Sequence, residues 1–211
     1  MIPVSNFKTA FSNLFRLRDM PKSKFYITAT VELKDKNGKV TSRFTKQLNS
    51  YVTALIDLLR AEMNYTNDTL TDTSNSTFSI GLGSNFWMKA TAASTDDTFG
   101  ILVGSGNTAV NIAQYALTTK ILHGTTANKL SYGAVSIGAC ATIGTTRQFT
   151  IARTFTNSSG GDITVNEVAL AITTFNSVGS AKLIMFERSL LTFTITNGTS
   201  GTVTYTISAT V

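Results

Sequence analysis

Few side chains in this chain could carry chemistry. It has one histidine, His123, and one cysteine, Cys140, so a serine triad, a cysteine–histidine pair or a zinc site would each have to be built around a single imidazole. His123 stands between Leu122 and Gly124, a setting that reads as a strand end with a structural or surface role. One thiol excludes an intrachain disulfide and a thiolate metal site, and Cys140 is expected as a small buried hydrophobe. The carboxylates Asp96, Asp97, Asp162, Glu167 and Glu187 are too scattered to nominate an acid/base pair, although folding could bring two together as in a glycosidase. Asp68 and Asp72 fall in a polar loop without the Gly and Glu of an EF-hand.

A more specific pattern is Ile101–Leu117, ILVGSGNTAVNIAQYAL, which imitates a dinucleotide fingerprint with Gly104, Gly106 and Ala109. A Rossmann unit needs an acidic residue about 20 positions further on for the ribose, yet no Asp or Glu occurs between Asp97 and Asp162. These glycines therefore read as a turn. Trp87, in GSNFWMKA, and Tyr65 are candidate platforms for stacking on a sugar, against the commoner fate of burial. No catalytic, cofactor or metal site is expected.

The elements that would position such residues are strands. Charged residues are 14% of the 211 against about 25% in an average domain, and the polar surface must be made by Thr, Ser and Asn. Thr also favours strands. No window approaches the roughly 18 apolar residues of a membrane span, and Met1 to Met20 lacks the apolar core of a signal peptide, so use without Sec export is expected. Residues 1 to 62 carry eleven Lys and Arg against five Asp and Glu, and residues 63 to 211 seven of each. The whole surplus of +6 thus sits in the first third. That is what a solvated, Lys-rich strand edge would show; the other readings are an acidic partner, an acidic membrane surface or nucleic acid, the last not expected.

One domain with a small extension is expected: an amphipathic docking segment over residues 1–22, and a β-sandwich domain over residues 23–211 with a helix at 50–63. In the first, Phe7, Phe11, Leu14 and Phe15 recur at helical spacing with Lys8, Arg16 and Arg18 nearby, and Pro21 ends the pattern. Phe7, Phe11, Leu14, Phe15, Arg16 and Arg18 are the candidate docking residues, toward their own domain or a neighbouring subunit. Phe25, Ile27, Ala29, Val31 and Leu33 then alternate with polar residues up to the Asn37-Gly38 turn, setting Val31 opposite Phe44 and Ile27 opposite Leu48. Asn49 or Ser50 caps a helix with a stripe of Val52, Leu55, Ile56, Leu59 and Met63. Residues 64–77 read as a polar loop. Strands follow at 78–82, 100–103, 115–122, 129–138, 182–196 and 202–211.

The stretch RTFTNSSGGDITVNEVALAI, Arg153 to Ile172, reads as a central hairpin closing at Gly160 and Gly161, with Ile151 facing Val168 or Leu170. Ile163 and Val165 have one parity and Val168, Leu170 and Ile172 the other, which predicts a bulge near Asn166 and Glu167. The last two strands read as another hairpin, with Phe193 opposite Tyr205.

The order of SYVTALIDLL, GILVGSGNTAVNIAQYAL with LSY, the RTFTNSSGGDITVNEVALAI segment, and MFERSLLTFTIT with GTVTYTI resembles a family of small structural proteins from virions of tailed bacteriophages, over about residues 50 to 207. In place of the Gly and aromatic expected after NEV stand Ala169 and Leu170. The resemblance implies a mainly β, antiparallel β-sandwich of jelly-roll-like form, with one covering helix and an N-terminal amphipathic helix. It implies a non-enzymatic component of head, neck, tail or fibre, located in the virion, oligomerising with copies of itself and with other virion proteins. The alternative is a carbohydrate-binding module at a fibre or tail tip, with a host-surface glycan as partner.

Overall fold

The computed structural model describes residues 24–48, 51–64, 69–80 and 88–211. The chain is mainly β, built from antiparallel sheets with one short helix among the described residues. The larger sheet has the order β2 (Val40–Leu48), β1 (Lys24–Lys34), β12 (Ser200–Thr210) and β9 (Thr146–Thr156). The free side of β9 is lined in turn by three short strands, β6 (Ser131–Tyr132), β7 (Ser136–Ile137) and β8 (Ala141–Ile143). A three-stranded sheet of β11 (Ala181–Ile195), β10 (Ile163–Phe175) and β5 (Gly100–Gly104) lies against it in sandwich-like fashion. β3 (Thr69–Thr71) and β4 (Thr77–Ser79) form a small ribbon.

Alternation decides the core. On the larger sheet the inward set is Ile27, Ala29 and Val31 of β1, Val203 and Tyr205 of β12, and Ile151 and Phe155 of β9, all buried. They meet Ile163, Val165, Leu170, Leu191, Phe193 and Ile195 of the smaller sheet in one apolar cluster. The rings of Phe44 and Phe193 meet edge to face across the gap, 6.4 Å apart. The opposite face of the larger sheet is polar, with Thr28, Thr30, Thr150, Thr154, Thr202, Thr204 and Thr206 in facing rows and Lys24, Glu32, Lys34 and Arg43 toward the β1–β2 side. Cross-strand hydroxyl pairs such as Thr154–Thr202, 2.8 Å apart, link them.

The first hairpin has the register expected, Val31 opposite Phe44 and Ile27 opposite Leu48. Gly38 takes the left-handed conformation its turn needs, at φ +80°. The other two expected hairpins do not form. β9 pairs with β12, and β10 with β11 and β5, so the Gly160-Gly161 segment carries the chain from one sheet to the other. Likewise Phe193 of β11 faces Val165, while Tyr205 of β12 lies between Ala29 and Ile151. The two crossings lie side by side and bind each other. Asn157 Nδ2 donates to the carbonyls of Gly161 (2.8 Å) and Ile195 (2.7 Å), Gly160 N to Asn197 Oδ1 (3.0 Å), and Asn197 N to Asp162 Oδ1 (2.9 Å). Matching apolar parity is satisfied equally by two strands facing each other across a sandwich and by two neighbours in one sheet. The expected irregularity in β10 does lie between Val165 and Glu167, although the extra residue belongs to β11: Leu191 and Thr192 together oppose Asn166.

The helix, α1 (Thr53–Asn64), starts three residues later than expected, and Asn49 and Ser50 lie outside the described residues. Of the expected stripe, Val52 is buried and Leu55 packs against the core, whereas Ile56 is 60% and Leu59 45% exposed. Leu58 and Ala61 are buried in their place. The helix sits on the back of the smaller sheet, near Ala169 and Met185, where small residues allow close approach. Residues 115–122 form no strand, and residues 69–79, expected in a loop and its following strand, make the β3–β4 ribbon.

Candidate functional site

The candidate docking residues Phe7, Phe11, Leu14, Phe15, Arg16 and Arg18, and the candidate stacking residues Tyr65 and Trp87, lie outside the described residues. Asp68 does too. Asp72 is used inside its turn, accepting from Ser74 N (3.0 Å), Ser74 Oγ (2.6 Å) and Ser76 N (3.0 Å), with Lys182 Nζ at 3.3 Å. Burial pushes its pKa up, but these donors outweigh it and hold the carboxyl below its usual range. Cys140 is exposed, contrary to expectation, because its segment lies against the outer edge of β9 instead of under a sheet.

His123 takes part in a polar centre at one edge of the sandwich. Its Nδ1 accepts from the backbone N–H of Tyr132 at 3.1 Å, which places the ring proton on Nε2. The nearby carboxylate, Asp97, accepts from the backbone N of His123 (2.6 Å) and from Lys120 Nζ (3.1 Å), not from the imidazole. Burial works against the Asp97 charge, yet these partners lower its pKa. Tyr132 OH donates to Ile121 O at 2.6 Å, and burial pushes the phenol far up. The geometry is that of a clasp holding residues 97, 120–123 and 130–132 together, and among the described residues neither nitrogen of the imidazole is bonded to a carboxylate.

Beside it, Arg153 is inward-facing and buried, an ion where alternation calls for an apolar residue. Its guanidinium donates to five carbonyls: Gly133 (2.8 Å), Phe99 (3.0 Å), Ile101 (3.2 Å), Ala93 (3.2 Å) and Asp96. It also stacks over the Tyr132 ring at 4.7 Å. Burial pulls its pKa down. Five fixed donors satisfy carbonyls of a segment that has little regular structure of its own, which is how the 93–101 loop is held on the sheet.

The second centre joins Glu167 of β10 and Arg188 of β11, both fully buried, with Nε 2.6 Å from Oε2. Glu167 also accepts from Thr118 N (3.1 Å) and Thr119 N (2.8 Å). Arg188 reaches Gln114 Oε1 (2.9 Å), Thr108 O (3.0 Å) and Thr118 Oγ1 (2.9 Å). The pair thereby fastens the loop from 105 to 120 over the smaller sheet. It also explains the glycine pattern: a Cβ on Gly104 or Gly106 would stand 2.4 or 2.6 Å from Glu167 Oε1. Those glycines make room for a carboxylate instead of cradling a phosphate. The visible signal is charge inside two apolar runs, Glu167 in VNEVALAI and Glu187 with Arg188 in FERSLL, which the sequence does not pair.

The third centre lies between the sheets. Glu187, fully buried, accepts from Tyr205 OH across the sandwich (2.7 Å) and from Ser189 Oγ. Burial pushes its pKa up to about 7. Of the cavities, one of about 160 Å³ opens between Leu102, Leu117, Met185 and Lys120, below the roughly 300 Å³ at which ligand pockets begin. Among the described residues no three or more His, Cys, Asp or Glu gather at metal-binding spacing, and no helix is long and apolar enough to cross a membrane.

The three centres act on the fold: each ties an irregular segment or the opposite sheet to a strand. What remains exposed is surface, namely the threonine rows, the apolar residues of α1, and an apolar groove near Phe25. Comparisons with protein-family models, with curated proteins and with solved structures gave no significant match.

Proposed function

We propose that the chain is a non-enzymatic structural component of a tailed-phage virion, a jelly-roll-like block that associates with copies of itself through sandwich surfaces and its N-terminal segment. The observation that carries this reading is the character of the exposed surface. A face of hydroxyl rows and patches of exposed Phe25, Ile56 and Leu59 surround a body in which Asp72, Arg153, Glu167, Glu187 and Arg188 are buried. Surface of this kind favours repeated subunit contacts, which need extended apolar and uncharged polar area and little charge. The first and last strands, β1 and β12, pair within one sheet, and the chain switches sheets after β9 and after β11. Both features agree with a jelly roll.

The reading is tested by sedimentation of the purified chain beside a variant lacking residues 1–20, with mass spectrometry of purified particles for incorporation. The full chain should associate, and the truncated one should stay β-rich by circular dichroism but associate or incorporate less. Should the truncated chain unfold while the intact one is a monomer, the segment belongs to its own core and the reading fails. Binding on a glycan array would favour the fibre-tip alternative.

A further inference from the structure

Near the start of β1 the inward face of the larger sheet loses its cover. Ile207 of β12 lies between Ile27 of β1 and Phe149 of β9, with Ile207 and Phe149 half-buried, while Phe25 and Ala209 in the next row are exposed, Phe25 by 61%. Between them runs a groove of about 240 Å³, lined by Phe25, Phe149, Ile207, Ala209, Arg147 and Cys140. Residues 1–23 lead directly into this rim, since β1 begins at Lys24. They carry Phe7, Phe11, Leu14 and Phe15 at helical spacing, a stripe too apolar for water and too short to be stable unsupported.

We infer that the groove receives the Phe7–Phe15 stripe of a second copy of the chain. This rests on the reading of the protein as an assembly part and names the contact through which it assembles. The short linker favours the neighbour's arm over the chain's own. To fold back onto its own groove, the chain would have to reverse within residues 16–24, gathering Arg16, Arg18, Lys22 and Lys24 against Arg147. A neighbour's stripe enters the same groove while its basic linker runs on toward its own β1. Each copy then offers one arm and one groove, which closes as a two-fold exchange or relays around a ring.

Cys140, the chain's sole thiol, lines the groove and reports on it. A Phe11→Cys, Cys140→Ser variant, with a thiol only on the arm, is co-expressed with a tagged wild-type chain, which has a thiol only in the groove. Mild oxidation should yield a tagged–untagged heterodimer linking positions 11 and 140. In the single variant Phe11→Cys, an intrachain 11–140 link with no interchain 11–140 link would place the arm on its own groove and overturn the inference. So would the lack of any 11–140 link. Phe25→Glu, at the exposed rim, should weaken self-association roughly tenfold at unchanged circular dichroism; wild-type sedimentation of this variant counts against the groove. If deleting residues 1–20 abolishes association but the cross-link fails, assembly stands and the groove assignment falls. If the intact chain is a monomer, both fall.

Discussion

Buried ions make the sharpest residue-scale predictions, because removing one partner strands the other. Arg188→Met would leave Glu167 buried with two backbone donors and no cation. A loss of about 3–5 kcal/mol is expected in urea unfolding, partly recovered by adding Glu167→Gln. Glu187 gives a pH dependence. Its pKa is raised from 4.5 to about 7 in the folded chain, so the folded state holds the proton more tightly than the unfolded one. The stabilisation is complete below about pH 4.5 and is lost as pH rises through about 7, by up to about 3 kcal/mol. Asp72 and Asp97, with lowered pKa values, have the opposite sign and lose their contribution only in acid. The melting temperature should therefore fall between about pH 5 and 8, and Glu187→Gln should flatten that fall. A slope unchanged in the variant would assign the titration elsewhere.

At the scale of elements, strand partnership is open to direct test. Thr154 and Thr202 face each other on β9 and β12, so Thr154→Cys with Thr202→Cys, in a Cys140→Ser background, should form a disulfide on oxidation without loss of fold. A hairpin of β9 with β10 would keep these thiols apart. Gly104→Ala tests the loop clasp. Its Cβ would meet Glu167 Oε1 at 2.4 Å and Thr119 O at 2.6 Å, and backbone on one side cannot swing away. A cost of about 2–3 kcal/mol is expected, seen as a melting point lower by roughly 5–10 °C. Gly38→Ala, where nothing lies within 4 Å, carries only the strain of its positive φ and serves as the comparison.

For the whole molecule, charge is separated by depth as well as by position. In residues 63–211, Asp72, Arg153, Glu167, Glu187 and Arg188 are buried, which leaves that part of the surface sparsely charged. The arm has four Lys and Arg against one Asp over residues 1–23, and the groove it is assigned to carries Arg147. Like charge opposes that contact while apolar burial favours it. Raising salt from about 50 to 500 mM should screen the repulsion, with a Debye length falling below 10 Å, and self-association measured by sedimentation should hold or strengthen. Association through an acidic partner would instead weaken.

The sequence by itself determined which residues point inward. Period-2 alternation marks the buried face of β1, β9 and β12 and the outer ends of β10 and β11, whose middles are buried on both sides, and Asn37-Gly38 settles the first hairpin. Even the irregularity near Asn166 was legible, because a parity change needs no partner to be seen. Partnership was not legible. Ile151 and Leu170 have compatible faces whether they are neighbours in a sheet or opposed across a core, and the choice rests on contacts far apart in sequence, such as β1 with β12, Asn157 with Ile195 and Asn197 with Gly160 and Asp162. The same holds for the polar centres. Glu167 and Arg188, or Glu187 and Tyr205, are ordinary residues along the chain, and only the tertiary structure brings each pair into a dry space where it must be satisfied.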